Sequence, residues 1–316
     1  MPQSSSGAFL GTSPRIVSLI PSATEIVALL GMDDRLVGRS HECDYPASVK
    51  ALPICTEPKF NPEGSSAEIH GRVTDLLQSA LSVYRIKTEV LEPLQPTHIL
   101  TQAQCEVCAV SLGDVEKAVA QLTGIQPQII SLQPNVLADV WADIERVAAA
   151  LGVSAVEPLA VLQQRVEACT RVTQSLEHRP TVACIEWSDP LMAAGNWIPE
   201  LVELAGGRSL FGVVGQHSPW LQWEQLVEAN PEVMVFMPCG YDLQRTRQDA
   251  ELLSHHHQWS NLKAVQTGQV YITDGNQYFN RPGQRLVDSL EILAEILHPH
   301  CFPPSYKETG WEPLKN

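Results

Sequence analysis

Positive charge is scarce in this chain. Lysine and arginine number 21 against 36 aspartates and glutamates, a net charge of −15. So acidic a surface repels phosphate backbones and anionic lipid, which argues against nucleic acid as a partner. No apolar run approaches the ~18 residues of a membrane span, so no membrane span is expected. Cysteine is thin on the ground. Eight residues (43, 55, 105, 108, 169, 184, 239 and 301) over 316 positions do not make a disulfide scaffold, and Cys169 and Cys184 fall in apolar-periodic stretches where a thiol acts as a small hydrophobe. Residues 1–14 lack a basic n-region, an apolar h-region and a small-residue cleavage site, and read as a polar tail. These features together predict a cytoplasmic protein, or a periplasmic one if the N-terminus was trimmed.

Catalytic signatures are missing as well: no G-x-G-x-x-G fingerprint, no Walker phosphate loop, no G-x-S-x-G elbow and no H-E-x-x-H helix. Binding is favoured over turnover. What the chain does have is apolar material, 44% hydrophobic against 18% charged residues, and the length of about two domains.

Arg15-Ile-Val-Ser-Leu-Ile20 is a β-branched run followed by Pro21-Ser22-Ala23-Thr24-Glu25 and an apolar helical pattern to Gly31. Ser22 with Glu25 predicts a capping box, and Gly31 a C-terminal cap. Short strands are expected at 35–38, 98–101 and 128–131, with a helix over 115–122. A second series runs through a strand at 181–185, helices near 198–205 and from Trp223, strands at 233–236 and 269–272, and a helix over 284–297 with Leu286, Leu290, Leu293 and Leu297 at helical spacing. Strand alternating with helix implies parallel sheets covered by helices. The strand, turn, helix, glycine and short strand of 15–38 recur at 181–212, a faint internal echo.

Between the two series, residues 154–177 open with a second capping-box pair, Ser154 and Glu157, and keep an apolar period through Val156, Leu159, Leu162, Val166, Cys169, Val172 and Leu176. A helix of about 23 residues is about 34 Å long, enough to join two lobes stiffly and leave a preformed cleft between the carboxyl ends of their strands. The expected fold is α/β, two lobes with mainly parallel sheets joined by one long backbone helix. Its divisions are a tail over 1–14, a first lobe over 15–152, the linking helix over 153–178, a second lobe over 179–300 and a C-terminal tail over 301–316.

Several segments then acquire a common meaning. Arg15-Ile-Val-Ser-Leu-Ile-Pro-Ser-Ala-Thr-Glu25, Arg35-Leu-Val-Gly38 with Ser40 and Asp44-Tyr-Pro46, residues 89–100 and residues 220–236 resemble the cobalamin-binding proteins of ABC importers, within the class of periplasmic binding proteins whose lobes are joined by one long helix. The resemblance spans about residues 15–298. Ser40-His-Glu-Cys-Asp-Tyr-Pro46, Thr101-Gln-Ala-Gln-Cys-Glu-Val-Cys-Ala-Val-Ser111 and Phe279-Asn-Arg-Pro-Gly283 mark an uncharacterised branch. The resemblance implies a cleft lined at His41 and Glu42, at residues 102–108 including Gln102, Gln104 and Cys105, and at Trp187 and Trp220. Where the family stacks tyrosine and tryptophan of the first lobe on the corrin, this chain has Glu42 and the Gln/Cys segment, so cobalamin, a related corrinoid, a porphyrin and an iron chelate all stay open as ligand. The resemblance also implies an ABC importer permease as partner, docked through Glu89 and Glu224. As first-turn helix residues, both are equally explained by the helix dipole.

Cys105-Glu-Val-Cys108, with His41 and Cys43, has the residue types of a zinc or iron site; the other reading is cleft-lining thiols that only shape the pocket. A cytosolic thiol- or metal-dependent enzyme built on Cys105, Cys108 and His41 is the alternative function. His255-His-His257 and His298-Pro-His300-Cys301 read as exposed helix ends, since adjacent histidines cannot all face one ion. Trp187 and Trp220, at strand and loop ends, offer flat faces to a planar ligand, whereas Trp197 and Trp223 fit core packing. Ser22 and Phe279 join the candidate lining, and Arg281 is a candidate clamp for an acidic or amide group of the ligand, or a helix cap.

Overall fold

Two β-branched residues and a small serine give the first strand, β1 (Ile16–Ser18), all of it buried. The computed structural model describes residues 13–78, 83–103, 111–122 and 126–315. After β1 come α1 (Pro21–Leu29), β2 (Leu36–Arg39), β3 (Thr56–Pro58), α2 (Ser66–Gln78), β4 (Tyr84–Ile86), α3 (Thr88–Leu94), β5 (His98–Gln102), α4 (Leu112–Ala120), β6 (Gln128–Leu132) and α5 (Leu137–Leu151). One sheet has the order β2-β1-β5-β6, every neighbour parallel. β3 and β4 form a separate antiparallel pair.

α1 ends as its glycine predicts. Gly31 takes φ 68°, its N–H reaches the Ala28 carbonyl at 3.0 Å and that of Met32 the Val27 carbonyl at 3.0 Å, the two bonds of a Schellman motif. The start of α1 departs from expectation. Its N-cap is Ile20 without a side-chain bond, Ser22 Oγ is buried with no partner, and Glu25 turns away to meet Arg281. A carboxylate with two buried guanidinium groups in reach does not spend itself on a backbone N–H.

The linking helix α6 (Val156–Thr173) has 18 residues, about 27 Å of rise, shorter at both ends than the pattern suggested. Ser154 Oγ accepts from the Val156 N–H at 3.3 Å, but Ala155 occupies the N-cap without a side-chain bond, so the box does not close. Leu159, Leu162 and Cys169 are buried while Val156 and Val172 are exposed, because the face that counts is the one laid on the last long helix. There Arg165 donates to Asp288 at 2.5 Å, to Glu291 at 2.7 Å and to Tyr306 at 3.2 Å.

The second lobe runs β7 (Thr181–Ser188), β8 (Leu191–Ala193), α7 (Ile198–Leu204), β9 (Arg208–Ser209), α8 (Trp223–Ala229), β10 (Val233–Phe236), α9 (Leu243–Ser254), α10 (Lys263–Gln266), β11 (Val270–Thr273), α11 (Leu286–Leu297) and β12 (Trp311–Pro313). Its sheet has the path β12-β11-β10-β7-β8, with β9 also on β7. β7, β10, β11 and β9 run parallel, and β8 and β12 antiparallel. The echo is real at this level: β1 and β2 flank α1 as parallel neighbours, and so do β7 and β9 around α7.

The expected tail is 301–316, and its described part, residues 301–315, packs on the second lobe. β12 completes the sheet edge, and the buried Glu295 gathers the N–H groups of Ser305 (2.7 Å) and Tyr306 (3.1 Å) and the Trp311 indole (2.7 Å). An interior carboxylate must be satisfied, and this segment supplies the donors. The two sheets also share one core. A single buried cluster takes in Ile26 and Val27, Leu159 and Leu162 of α6, and Leu290 and Leu293 of α11, which ties the lobes together at their root.

Candidate ligand-binding cleft

Strands of both sheets end toward the gap between the lobes, and the loops that leave those strand ends build the site. At the end of β2, Arg39 is buried and donates to the carbonyls of Ser40 (3.0 Å), Cys43 (3.0 Å) and Lys50 (3.1 Å), so one guanidinium shapes the whole 40–50 loop. His41 is anchored twice on Thr56: its N–H donates to Oγ1 at 3.1 Å and its Nδ1 lies 2.8 Å from the same oxygen. Its ring tilts against Tyr84 at 5.3 Å. Burial, with Lys87 and Arg39 nearby, pushes the His41 pKa down to about 4, so the imidazole is neutral. Glu42 accepts from the Tyr84 hydroxyl at 3.3 Å. Protein atoms crowd its carboxylate although 38% of the side chain stays open, and desolvation lifts its pKa to about 7. The first-lobe wall therefore carries little charge for residues of these types.

The facing wall is built from the last residues of β7 and the segments that follow β8 and β10. Trp187 donates its indole N–H to the Asp189 carbonyl at 3.1 Å and lies 5.4 Å from Tyr241, over which Arg245 stacks at 3.9 Å. Trp220 is held beside Met192 by an isolated bridge and is 54% exposed. Behind it Ser218 donates to Glu186 at 2.7 Å and accepts from the Gly195 N–H at 3.0 Å, which fixes the loop.

The walls touch. At the root, Arg281 reaches Glu25 at 3.0 Å, Asp44 at 2.6 Å and Asn276 at 3.0 Å, and Arg285 adds a contact to Glu25 at 3.4 Å. Burial raises the pKa of Glu25 against the pull of both arginines, while the Arg281 guanidinium holds that of Asp44 down. Further out Ser66 donates to Asp249 at 2.7 Å, and the His70 ring stands edge-on to Trp220 at 5.3 Å. A groove of about 540 Å³ remains between residues 63–65 and Tyr241, Arg245, Asp249 and Leu252.

Of the expected lining, His41, Glu42, Trp187 and Trp220 stand on these facing walls. Ser22 and Phe279 do not: they are 1% and 0% exposed, the former inside α1, the latter bonded through its carbonyl to the Trp197 indole at 2.7 Å. Arg281 is consumed by the lobe-to-lobe contacts and is not a free clamp. Gln102 is buried at the end of β5. Gln104, Cys105 and Cys108 lie outside the described residues. Cys43 sits in the core with its thiol 3.0 Å from the Thr24 hydroxyl and its pKa pushed up to about 11 by burial. Among the described residues no group of three or more His, Cys, Asp or Glu is arranged to hold a metal ion. Glu89 and Glu224 are exposed in the first turns of α3 and α8. His255 closes α9 and is exposed, but His256 packs on Trp223 at 4.1 Å, and His298, which closes α11, is half-buried with its Nε2 3.1 Å from the Gly206 carbonyl. Tyr84, Tyr241, His70 and Arg245 were not foreseen. The first and third belong to β4 and α2, too short or too weakly patterned to read, while Tyr241 and Arg245 lie at the start of a largely polar helix.

Residues 16–277 match the periplasmic binding protein family. The chain belongs to that family. Among its relatives is the vitamin B12-binding protein of Vibrio cholerae serotype O1, 25% identical over 290 residues, covering 90% of this chain and 88% of that one. Another is an uncharacterized ABC transporter substrate-binding lipoprotein of Bacillus subtilis, 23% identical, covering 91% and 81%. Among solved structures, the periplasmic heme-binding protein of Roseiflexus superposes with a TM-score of 0.66 at 22% identity, over 92% of this chain and 100% of that one, a likeness of fold. Members of this family bind ligands; the chain is a binding protein and not an enzyme, so the thiol or metal enzyme alternative falls. The cytoplasmic expectation finds no support either, since the names of these relatives place them in the periplasm or among lipoproteins.

Proposed function

We propose that this periplasmic binding protein captures a corrinoid or a related metal chelate between its lobes and delivers it, outside the cytoplasmic membrane, to an ABC importer permease. The observation that carries the reading is the pairing of two walls at the strand ends. One presents a neutral His41 and a weakly acidic Glu42, backed by the buried Tyr84; the other presents the half-buried Trp187 and the exposed Trp220, with the buried Tyr241 behind Trp187. Flat aromatic faces with polar rims suit a broad planar ligand. The B12-binding relative supports the ligand class, and the lipoprotein relative supports the transporter partner and the location. Glu89 and Glu224, one exposed on each lobe, are the residues we assign to the permease.

Titrating cyanocobalamin into the protein, with calorimetry and visible spectra read together, tests this. A stoichiometric complex weakened about tenfold or more by Trp220→Ala supports it. No complex with cyanocobalamin, dicyanocobinamide or hemin refutes it.

A further inference from the structure

Residues 59–78 leave the first lobe after β3, and the chain re-enters it at β4. That stem is pinned: Thr56 pairs with Ile86 and Pro58 with Tyr84, and the Lys59 N–H donates to the Val83 carbonyl at 2.9 Å. The body of the excursion, α2, is weakly held by its own lobe. Of its 13 residues only Ser66 and Ile69 are buried. Gly71, mid-helix, has nothing within 4 Å of where a Cβ would stand, so it secures no close approach and only weakens the helix. A segment with so few buried apolar contacts opens at low free energy.

Its outer end is held instead by the other lobe. The Ser66–Asp249 bond joins side chains of residues 2% and 4% exposed, and Arg245 donates to the carbonyls of Pro62 at 3.1 Å and Gly64 at 3.2 Å. The fit is loose, with the groove of about 540 Å³ running alongside these contacts. Asp249 Oδ2 is buried with no hydrogen-bond partner, so the closed arrangement keeps a half-satisfied carboxylate that water would satisfy on opening. The root of the cleft is the opposite case, closed by the Arg281 contacts and the shared core.

We propose that residues 59–78 form a lid, latched to the second lobe by Ser66, Asp249 and Arg245, and that ligand enters by release of this lid while the root keeps the lobes fixed. The latch itself stands on the contacts alone; its role in entry rests on the proposed binding of ligand in the cleft.

Hydrogen–deuterium exchange on the ligand-free protein decides the latch. Ser66→Ala removes the donor and leaves both Asp249 oxygens unbonded, so amides of residues 70–78 exchange about ten- to a hundredfold faster, with β1, β5 and α11 unchanged. Asp249→Asn keeps an acceptor for Ser66 and returns the rate close to that of the parent protein. Unchanged exchange over 70–78 in Ser66→Ala, or a rise spread equally over both lobes, overturns the lid. Stopped-flow association of cyanocobalamin tests entry. Ser66→Ala speeds it severalfold; an unchanged rate beside faster exchange overturns entry through the lid. If cyanocobalamin binds neither protein, the ligand reading fails and the exchange result alone decides whether the lid exists.

Discussion

Arg281→Met should be the most damaging single change at the root of the cleft. Arg281 is 5% exposed and Glu25 is 0% exposed. Removing the guanidinium leaves Glu25 with Arg285 at 3.4 Å as its nearest remaining cation, and its second oxygen already has no partner. Breaking a buried ion pair from one side costs about 3–5 kcal/mol. Arg285 retains some of the attraction and Asp44, whose side chain is 34% exposed, can hydrate, so the lower end of that range, about 3 kcal/mol, is expected. Against a total stability of about 5–15 kcal/mol, that is a large share.

The loss must also depend on pH. Burial raises the Glu25 pKa even with Arg281 present, and raises it further once Arg281 is gone. An acid whose folded pKa lies above its unfolded value loses stability as pH rises through the folded pKa and regains it as pH falls. The deficit of Arg281→Met is therefore larger at about pH 8 than at about pH 5.5. Adding Glu25→Gln removes the stranded charge, so the double variant should lose about 2 kcal/mol less than the sum of the singles. Urea unfolding followed by circular dichroism measures all of this. A loss under about 1 kcal/mol, the scale of surface pairs, or an additive cycle would refute the claim that this cluster fixes the lobes.

Further substitutions probe other parts of the frame. His41→Gln should make stability less sensitive to acid: the folded histidine titrates near pH 4 rather than 6.5, so the parent protein loses stability as pH falls from 6.5 toward 4, with a ceiling of about 3 kcal/mol that the variant does not lose. Urea midpoints at about pH 7 and pH 5, compared between the two proteins, check it. Gly275→Ala places a Cβ onto the carbonyl oxygens of Pro238 and Met237 and should cost about 1–3 kcal/mol in thermal unfolding. Gly113→Ala, in α4 with open space around it, should gain about 0.5–1 kcal/mol.

The sequence reads most clearly where one apolar period runs for several turns or where a strand is buried on both faces. β1, β5, β10 and α11 fall where their residues predict, because interior strands and a core helix leave few alternatives. The excursion at 56–86 is not legible in that way, since β3 and β4 have three residues each and the apolar content of α2 is slight. The cleft is legible in part. Trp187, near the end of β7, and Trp220, in the loop before α8, keep open surface, whereas Phe279 and Arg281 look the same in sequence and are interior. What separates them is the partner: a carboxylate 256 positions away claims Arg281, and no local pattern shows that. The capping box at Ser22 misled for the same reason, its glutamate being held by the other lobe.

On the proposed function, the charge on Glu42 links the first-lobe wall to affinity. Crowding by protein atoms raises its pKa to about 7, so near neutrality the carboxyl is partly protonated and an apolar ring can cover it at low desolvation cost. Above that pH it is ionised, and covering a charge without a partner is unfavourable. A covered carboxylate would lose about tenfold in affinity per pH unit of further pKa rise. Because 38% of the Glu42 side chain remains open, water screens much of this, and a loss of about threefold in cyanocobalamin affinity between about pH 6 and pH 8 is expected. Glu42→Gln, uncharged throughout, should flatten that profile while leaving the affinity near pH 6 almost unchanged. Calorimetric titrations of both proteins across this range decide the matter. An affinity that rises with pH, or a slope that survives in Glu42→Gln, would show that the ligand does not rest on this wall.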